Sequence, residues 1–265
     1  MKRNQLIFLG VALIVYISQS EAATKGSRII GGDVARAGQF PFAAAIHVQT
    51  ADSKFFCGGA LTGNDWVVTS GHCVNNAILF TIHIGSNHRE SAEPDGLTVA
   101  TSTYVLHPDF NADTFENDIG LIEFRRPIDF NSYLEPVYTP EFPLNDYADV
   151  IGLGWGQISD NDAELSDDLR YVKMTAITNT ECKMTYGNQI TDGMVCAIGN
   201  YNEGTCVGDT GSPLVIEFPK NYFLVGVASF LSANGCESTN PSGYTRTYYY
   251  FDWIKNVTGT YPGLS

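Results

Sequence analysis

The sequence predicts an all-β protein built from antiparallel barrels or sandwiches. Three observations carry that expectation. Short apolar or β-branched runs recur at regular spacing along the chain. Turn-forming clusters separate them, among them Thr62-Gly63-Asn64-Asp65, Glu93-Pro94-Asp95-Gly96 and the segment Ser159–Ser166. The 26 glycines and 11 prolines are spread out rather than gathered into a linker or tail.

The first segment is a targeting signal. Lys2 and Arg3 give a positive start, Leu6–Ile17 is apolar, and Ser20-Glu21-Ala22 is a small-x-small cleavage site. Residues 1–22 are therefore expected to be removed after Ala22. Residues 23–28 form a short polar stretch, and Ile29-Ile30-Gly31-Gly32 opens the folded part, residues 29–265. An arginine before this apolar run makes Arg28/Ile29 a processing site. The strand candidates follow: Phe42–Val48, Trp66–Thr69, Phe80–Ile84, Leu97–Leu106, Ile119–Phe124, Tyr171–Ile177, Pro213–Phe218 and Phe223–Phe230. One segment has helical spacing instead. Tyr250, Trp253, Ile254 and Val257 fall at i, i+3, i+4 and i+7. Asn256-Val257-Thr258 is a glycosylation sequon, which makes Asn256 a candidate glycan site.

Charge and export narrow the function classes. The chain carries −14. Residues 1–28 hold four basic groups (Lys2, Arg3, Lys25, Arg28) and one acid (Glu21), which leaves −17 on the rest. Such a body repels nucleic acid and anionic lipid, so neither is an expected partner. The apolar run at the start is shorter than the roughly 20 residues a bilayer span needs. A secreted, extracellular monomer is expected. In an oxidising compartment six cysteines imply disulfides rather than a metal site. Their spacing alone leaves the pairing open. No metal and no cofactor are expected, since Glu90, Glu93 and Asp95 lack a convincing calcium spacing. His47, His83, His88 and His107 read as surface or packing residues.

Three islands carry chemistry. Val67–Cys73 is a strand-like run ending in His72 beside a cysteine. Asn117-Asp118-Ile119 places an aspartate at the head of an apolar strand. Gly204–Pro213 holds Thr210 inside a glycine-rich turn, just after Asp209. A hydroxyl is a poor nucleophile near neutral pH until a base takes its proton. Histidine has the pKa for that task. A buried aspartate fixes its tautomer. Glycines let backbone amides approach a developing oxyanion.

On these islands the chain resembles the chymotrypsin–trypsin family of secreted serine endopeptidases. The motifs occur in the family's order from Ile29 to about Val257: Ile29-Ile30-Gly31-Gly32, Ser70-Gly71-His72-Cys73, Asp118-Ile119, Gly208-Asp209-Thr210-Gly211-Ser212-Pro213, and the terminal helix. The resemblance implies two packed six-stranded antiparallel β-barrels with a C-terminal helix. It implies a triad of His72, Asp118 and Thr210. The oxyanion hole would be the N–H groups of Gly208 and Thr210. It implies the disulfides Cys57–Cys73, Cys182–Cys196 and Cys206–Cys236. It further implies a zymogen, activated by a trypsin-like protease at Arg28, whose freed Ile29 ammonium pairs with Asp209. Polypeptides would be the substrates and protein inhibitors further partners.

Two departures from the family pattern matter. The family's Gly-Asp-Ser-Gly-Gly-Pro is here Gly-Asp-Thr-Gly-Ser-Pro, with Thr210 at the nucleophile position and Ser212 replacing a glycine. Threonine keeps the hydroxyl but adds a methyl that restricts χ1. The specificity pocket aligns with Gly204, Leu231 and Ser242. Nothing there pairs with Lys or Arg, and Leu231 narrows the space. The expectation is an endopeptidase of reduced activity that favours small or medium apolar residues before the scissile bond. The alternative is a catalytically inactive serine protease homologue acting as a binding or regulatory protein. The sequence shows no additional module before Ile29, which favours the enzyme.

Overall fold

The computed structural model describes residues 32–200, 203–219 and 221–259. The expected signal peptide (residues 1–22), the expected propeptide (residues 23–28) and Ile29 lie outside the described residues.

The described residues form two antiparallel sheets of seven strands each. The first contains β2 (Ala43–Gln49), β3 (Lys54–Leu61), β4 (Trp66–Thr69), β5 (Leu79–Ile84), β6 (Leu97–Thr101), β7 (Tyr104–Leu106) and β8 (Gly120–Glu123). Their order is β6-β5-β2-β3-β4-β8-β7. The second contains β1 (Asp33–Val34), β9 (Asp149–Gly154), β10 (Arg170–Ile177), β11 (Met194–Gly199), β12 (Pro213–Phe218), β13 (Asn221–Phe230) and β14 (Ser242–Arg246). Pairing of β10 with β9 closes six of these strands into a barrel.

Each sheet holds one strand more than the expected six, for two local reasons. In the first sheet the run Leu97–Leu106 bends at Ser102-Thr103, and one expected strand becomes β6 and β7. In the second, the two residues of β1 add to β10, with Asp33 opposite Tyr171.

Among the described residues, three α-helices complete the fold: α1 (Gly71–Val74), α2 (Asn179–Tyr186) and α3 (Phe251–Thr258). Thr178 and Glu181 cap α2 reciprocally, side chain to backbone in both directions. α3 realises the predicted stripe. Tyr250 and Ile254 are buried in the main core, and Trp253 and Val257 pack against it. That core spans both sheets, from Ile46, Leu61 and Leu121 in the first to Leu153, Val215 and Leu224 in the second. A second cluster, including Val172, Leu214 and Tyr244, fills the closed barrel. The three disulfides join Cys57 to Cys73, Cys182 to Cys196 and Cys206 to Cys236.

Besides the two-residue β1, four strands escape the sequence pattern: β3, β9, β11 and β14. Each contains glycine, which lowers strand propensity. Several of these glycines are needed by the packing. A Cβ on Gly59 would stand 2.7 Å from both Ile46 and Val67, and one on Gly152 would stand 2.6 Å from Met174.

Candidate active site

His72 is delivered by the end of β4. The chain leaves the sheet at Thr69, and Ser70 stays extended as the first residue before α1. Gly71 must be small, because a Cβ there would lie 3.0 Å from the Ile119 nitrogen and 3.1 Å from both Leu106 and Phe110. The Cys57–Cys73 bridge pins the short helix to β3.

Asp118 is fully buried just before β8. Its carboxylate grips His72 twice. The backbone N–H of His72 donates to Oδ1 at 2.8 Å, and the ring Nδ1 lies 2.8 Å from Oδ2. A carboxylate only accepts, so Nδ1 carries the hydrogen of this bond. Ser229 Oγ donates a third bond to Oδ2 at 2.6 Å. Thr245 Oγ1 donates to the Asp118 carbonyl oxygen at 2.6 Å. These bonds supply compensation for burying a carboxylate.

The loop before Asp118 is held just as firmly. Phe115 and Asn117 both adopt positive φ, 55° each. Asn117 Nδ2 donates to the Asp109 carbonyl at 2.8 Å, and Tyr250 donates its hydroxyl to Asn117 Oδ1 at 3.0 Å. The Phe115 ring meets the His72 imidazole edge-on, with centroids 5.4 Å apart.

Thr210 arrives from the second barrel, in the turn before β12. Gly208 and Gly211 flank it at φ +94° and +81°, values that favour glycine. Gly58 donates its N–H to the Thr210 carbonyl at 2.7 Å, and Gly211 donates to Ala228 at 2.8 Å. Cys73 Sγ lies 3.9 Å from the same Thr210 carbonyl, so the turn sits beside α1. Among the described residues, no acceptor meets the backbone N–H of Gly208 or Thr210. No hydrogen bond joins the Thr210 hydroxyl to His72 among them either.

Asp209 points the other way, into the protein. It is buried and accepts the N–H of Gly156 at 2.6 Å and of Cys206 at 2.7 Å. Burial pushes its pKa up to about 7, and the two amide bonds only partly offset that. Its approach needs Gly156, where a Cβ would stand 2.6 Å from the carboxylate.

Beside the turn, Gly204 and Ser242 face one another. A Cβ on Gly204 would lie 3.4 Å from Ser242 Oγ. The adjacent cavity, lined by residues including Thr210, Ser229, Phe230 and Leu231, has a volume of only about 10 Å³. The Phe230 ring covers Gly243, and a Cβ there would collide with it. Tyr186 braces that ring edge-on at 5.1 Å and donates its hydroxyl to the Pro241 carbonyl.

Two features went unread in the sequence. Ser229 lies in a strand, and strand alternation does not show that its hydroxyl faces Asp118. The register shifts between Ala228 and Phe230, and such a bulge re-aims a side chain. The other is Asp160. Its carboxylate accepts the N–H of Cys236 at 2.8 Å and of Glu237 at 3.0 Å. With Cys206 and Cys236 it forms a compact acid–sulfur group, but those sulfurs are already bonded to each other and offer no thiolate.

The remaining histidines stand apart from this centre. His47 and His83 stack edge-on at 5.5 Å, and burial lowers the pKa of His83. His107 packs on Tyr250 and Trp253, and burial lowers its pKa too.

The chain matches known proteins along most of its length. The family model for trypsin matches residues 29–254. The chain belongs to the trypsin family. It is 32% identical over 234 residues to brachyurin of Leptuca pugilator, covering 88% of this chain and 100% of that protein. It is 34% identical over 239 residues to a collagenase of Hypoderma lineatum, covering 88% of each. The solved structure of HL collagenase superposes with a TM-score of 0.79 at 32% identity, over 88% of this chain and 99% of that one. The trypsin-family fold therefore comes with relatives that are proteases of the serine class. Among the described residues, no helix is long and apolar enough to cross a membrane.

Proposed function

We propose that this trypsin-family protein is a secreted endopeptidase of reduced activity, made as a zymogen, with Thr210 as nucleophile. The observation that carries the reading is the double grip of Asp118 on His72, reinforced by Ser229. A buried aspartate that fixes the tautomer of the histidine is what a working general base requires.

His72 Nε2 takes the Thr210 Oγ1 proton as that oxygen attacks the peptide carbonyl. Asp118 stabilises the imidazolium that forms. The carbonyl oxygen becomes an oxyanion and accepts the unengaged N–H groups of Gly208 and Thr210. His72 then gives its proton to the leaving amine. Water, activated by the same imidazole, hydrolyses the acyl-enzyme. Cleavage between Arg28 and Ile29 by a trypsin-like protease frees an ammonium group. That group pairs with Asp209 and orders the Gly208–Thr210 turn.

The Thr210 methyl sets the handicap. Holding a side chain ~30° off its rotamer costs about 0.5–1.5 kcal/mol. That slows reaction by up to roughly tenfold. None of Gly204, Leu231 and Ser242 is charged, so a pocket that they bound favours small to medium apolar residues before the scissile bond.

A second reading has its own support. The cavity of about 10 Å³ beside Thr210, and the lack of a Thr210–His72 hydrogen bond among the described residues, favour an inactive homologue that binds or regulates. One experiment separates the two. The chain is cleaved at Arg28, and neutral peptide substrates are assayed with the native protein, Thr210→Ser and Thr210→Ala. The enzyme reading expects the native protein to exceed Thr210→Ala clearly and Thr210→Ser to exceed both. Equal turnover by the native and alanine forms overturns the enzyme reading.

A further inference from the structure

The surface beside α3 carries a groove that the catalytic reading does not use. It has a volume of about 480 Å³ and is lined by Glu141, Tyr248, Tyr249, Phe251, Asp252 and Lys255. Tyr248 is 40% exposed and Tyr249 59%. The Tyr249 ring is nonetheless fixed. It meets Tyr250 edge-on at 5.2 Å, and Tyr250 is itself buried and bonded to Asn117. A Cβ on Gly193 would touch Tyr249 at 3.4 Å, so the ring rests on that backbone. These contacts hold the Tyr249 ring in place before anything binds, which lowers the cost of binding.

The chemistry of the groove matches a sugar. A pyranose ring has a C–H face that lies against an aromatic ring and a rim of hydroxyl and acetamido groups. Tyr248, Tyr249 and Phe251 supply the rings. Glu141 and Asp252 accept hydrogen bonds, and Lys255 donates them.

The chain also provides a place to attach that sugar. Asn256 is exposed on α3 and heads the sequon Asn256-Val257-Thr258. It follows Asp252 by four residues, so the two share a helix face about 5–6 Å apart. Helical side chains lean towards the N-terminus. A group attached to Asn256 therefore extends towards Asp252 and the tyrosines. A tether this short holds its end at a high effective concentration over the groove.

We infer that Asn256 carries an N-linked glycan whose first sugars lie in the groove formed by Tyr248, Tyr249 and Asp252. This rests on the export reading alone and is independent of whether Thr210 acts as a nucleophile. The glycan covers exposed aromatic surface and clamps the terminal helix over Asn117, the residue before Asp118.

The test uses the full chain expressed through the secretory route of a eukaryotic cell. Mass is measured before and after treatment of the folded protein with an amidase that removes N-linked glycans. The same is done for Asn256→Gln and for Tyr248→Ala/Tyr249→Ala. The expected result is a mass loss and conversion of Asn256 to aspartate, absent in Asn256→Gln. Removal lowers the Tm of the native protein by a few degrees. In the tyrosine variant removal is at least several-fold faster and leaves Tm unchanged. Asn256 found unmodified, whether the chain is exported or retained, overturns the proposal. So does a glycan whose removal rate and effect on Tm are the same in native protein and tyrosine variant. Peptidase activity enters none of these readings, so failure of the catalytic proposal is seen separately.

Discussion

Ser212 occupies the space that a side chain on Gly58 would need: a Cβ on Gly58 would collide with Ser212 Oγ and stand 2.8 Å from its Cα. The serine hydroxyl is buried and has no hydrogen-bond partner among the described residues. An orphaned buried hydroxyl costs about 1–3 kcal/mol. Ser212→Ala keeps the volume of the Cβ and deletes the orphan. It is expected to raise unfolding stability by about 1 kcal/mol in urea titration. Gly58→Ala is expected to lose more than ~2 kcal/mol, because the backbone of the Thr210 turn must move. Unchanged stability in Ser212→Ala would mean that the hydroxyl finds a partner in solution.

Ser229 is the third support of Asp118, and its removal tests how much that carboxylate depends on it. Hydrogen bonds to charged groups contribute about 1.5–3 kcal/mol. Ser229→Ala is expected to lower unfolding stability of the uncleaved chain by about 2 kcal/mol at pH 7. Ser229→Thr keeps an oxygen at the same position and is expected to recover at least half of that loss. An alanine variant as stable as the native protein would show that the two His72 bonds suffice.

The parts of this site that sequence made legible are those in which residue type and spacing carry the chemistry. His72 after an apolar run, Asp118 before one and Thr210 among glycines could all be read as a set. So could the α3 stripe, because Tyr250, Trp253, Ile254 and Val257 repeat at helical spacing. The strands β3, β9, β11 and β14 could not, because their glycines serve close packing and weaken the alternating pattern. α2 left a signal that went unused: Thr178 followed three residues later by Glu181. Ser229 and Asp160 left none. Ser229 depends on a bulge, and Asp160 on a contact with residues 76 and 77 positions away.

Asp160 couples two loops beside the candidate pocket. It fastens the Cys236-Glu237 backbone, while Gln157 donates its N–H to the Val207 carbonyl at 2.8 Å and Leu165 covers Gly208. Asp160→Ala removes the acceptor of two amides. Limited proteolysis is expected to cut residues 157–166 several-fold faster in this variant, while the urea midpoint falls only slightly. Asp160→Asn keeps one carbonyl acceptor and is expected to fall between the two. Equal cutting rates in the alanine variant and the native protein would show that Gln157 and Leu165 hold the loop unaided.

Asp209 gives the uncleaved chain a pH dependence of known sign. An unfolded aspartate ionises near 3.8, whereas burial pushes Asp209 to about 7 in the fold. Below about pH 4 the residue is protonated in both states and costs nothing. As pH rises from about 4 to about 7, the unfolded state ionises first and the fold loses ground. Above about 7 the loss is complete and on the order of 4 kcal/mol. Unfolding stability of the uncleaved chain is therefore expected to decline from pH 4.5 to pH 7.5. Asp209→Asn cannot ionise, so its decline over that range is expected to be smaller by most of that amount. Cleavage at Arg28 supplies an ammonium partner on the proposed reading. The processed protein should then gain stability over the uncleaved chain at pH 7.5 and less at pH 4.5. If native and Asp209→Asn chains decline in parallel, Asp209 already has a cation partner before cleavage, and the Ile29 ammonium is not needed to fill that role.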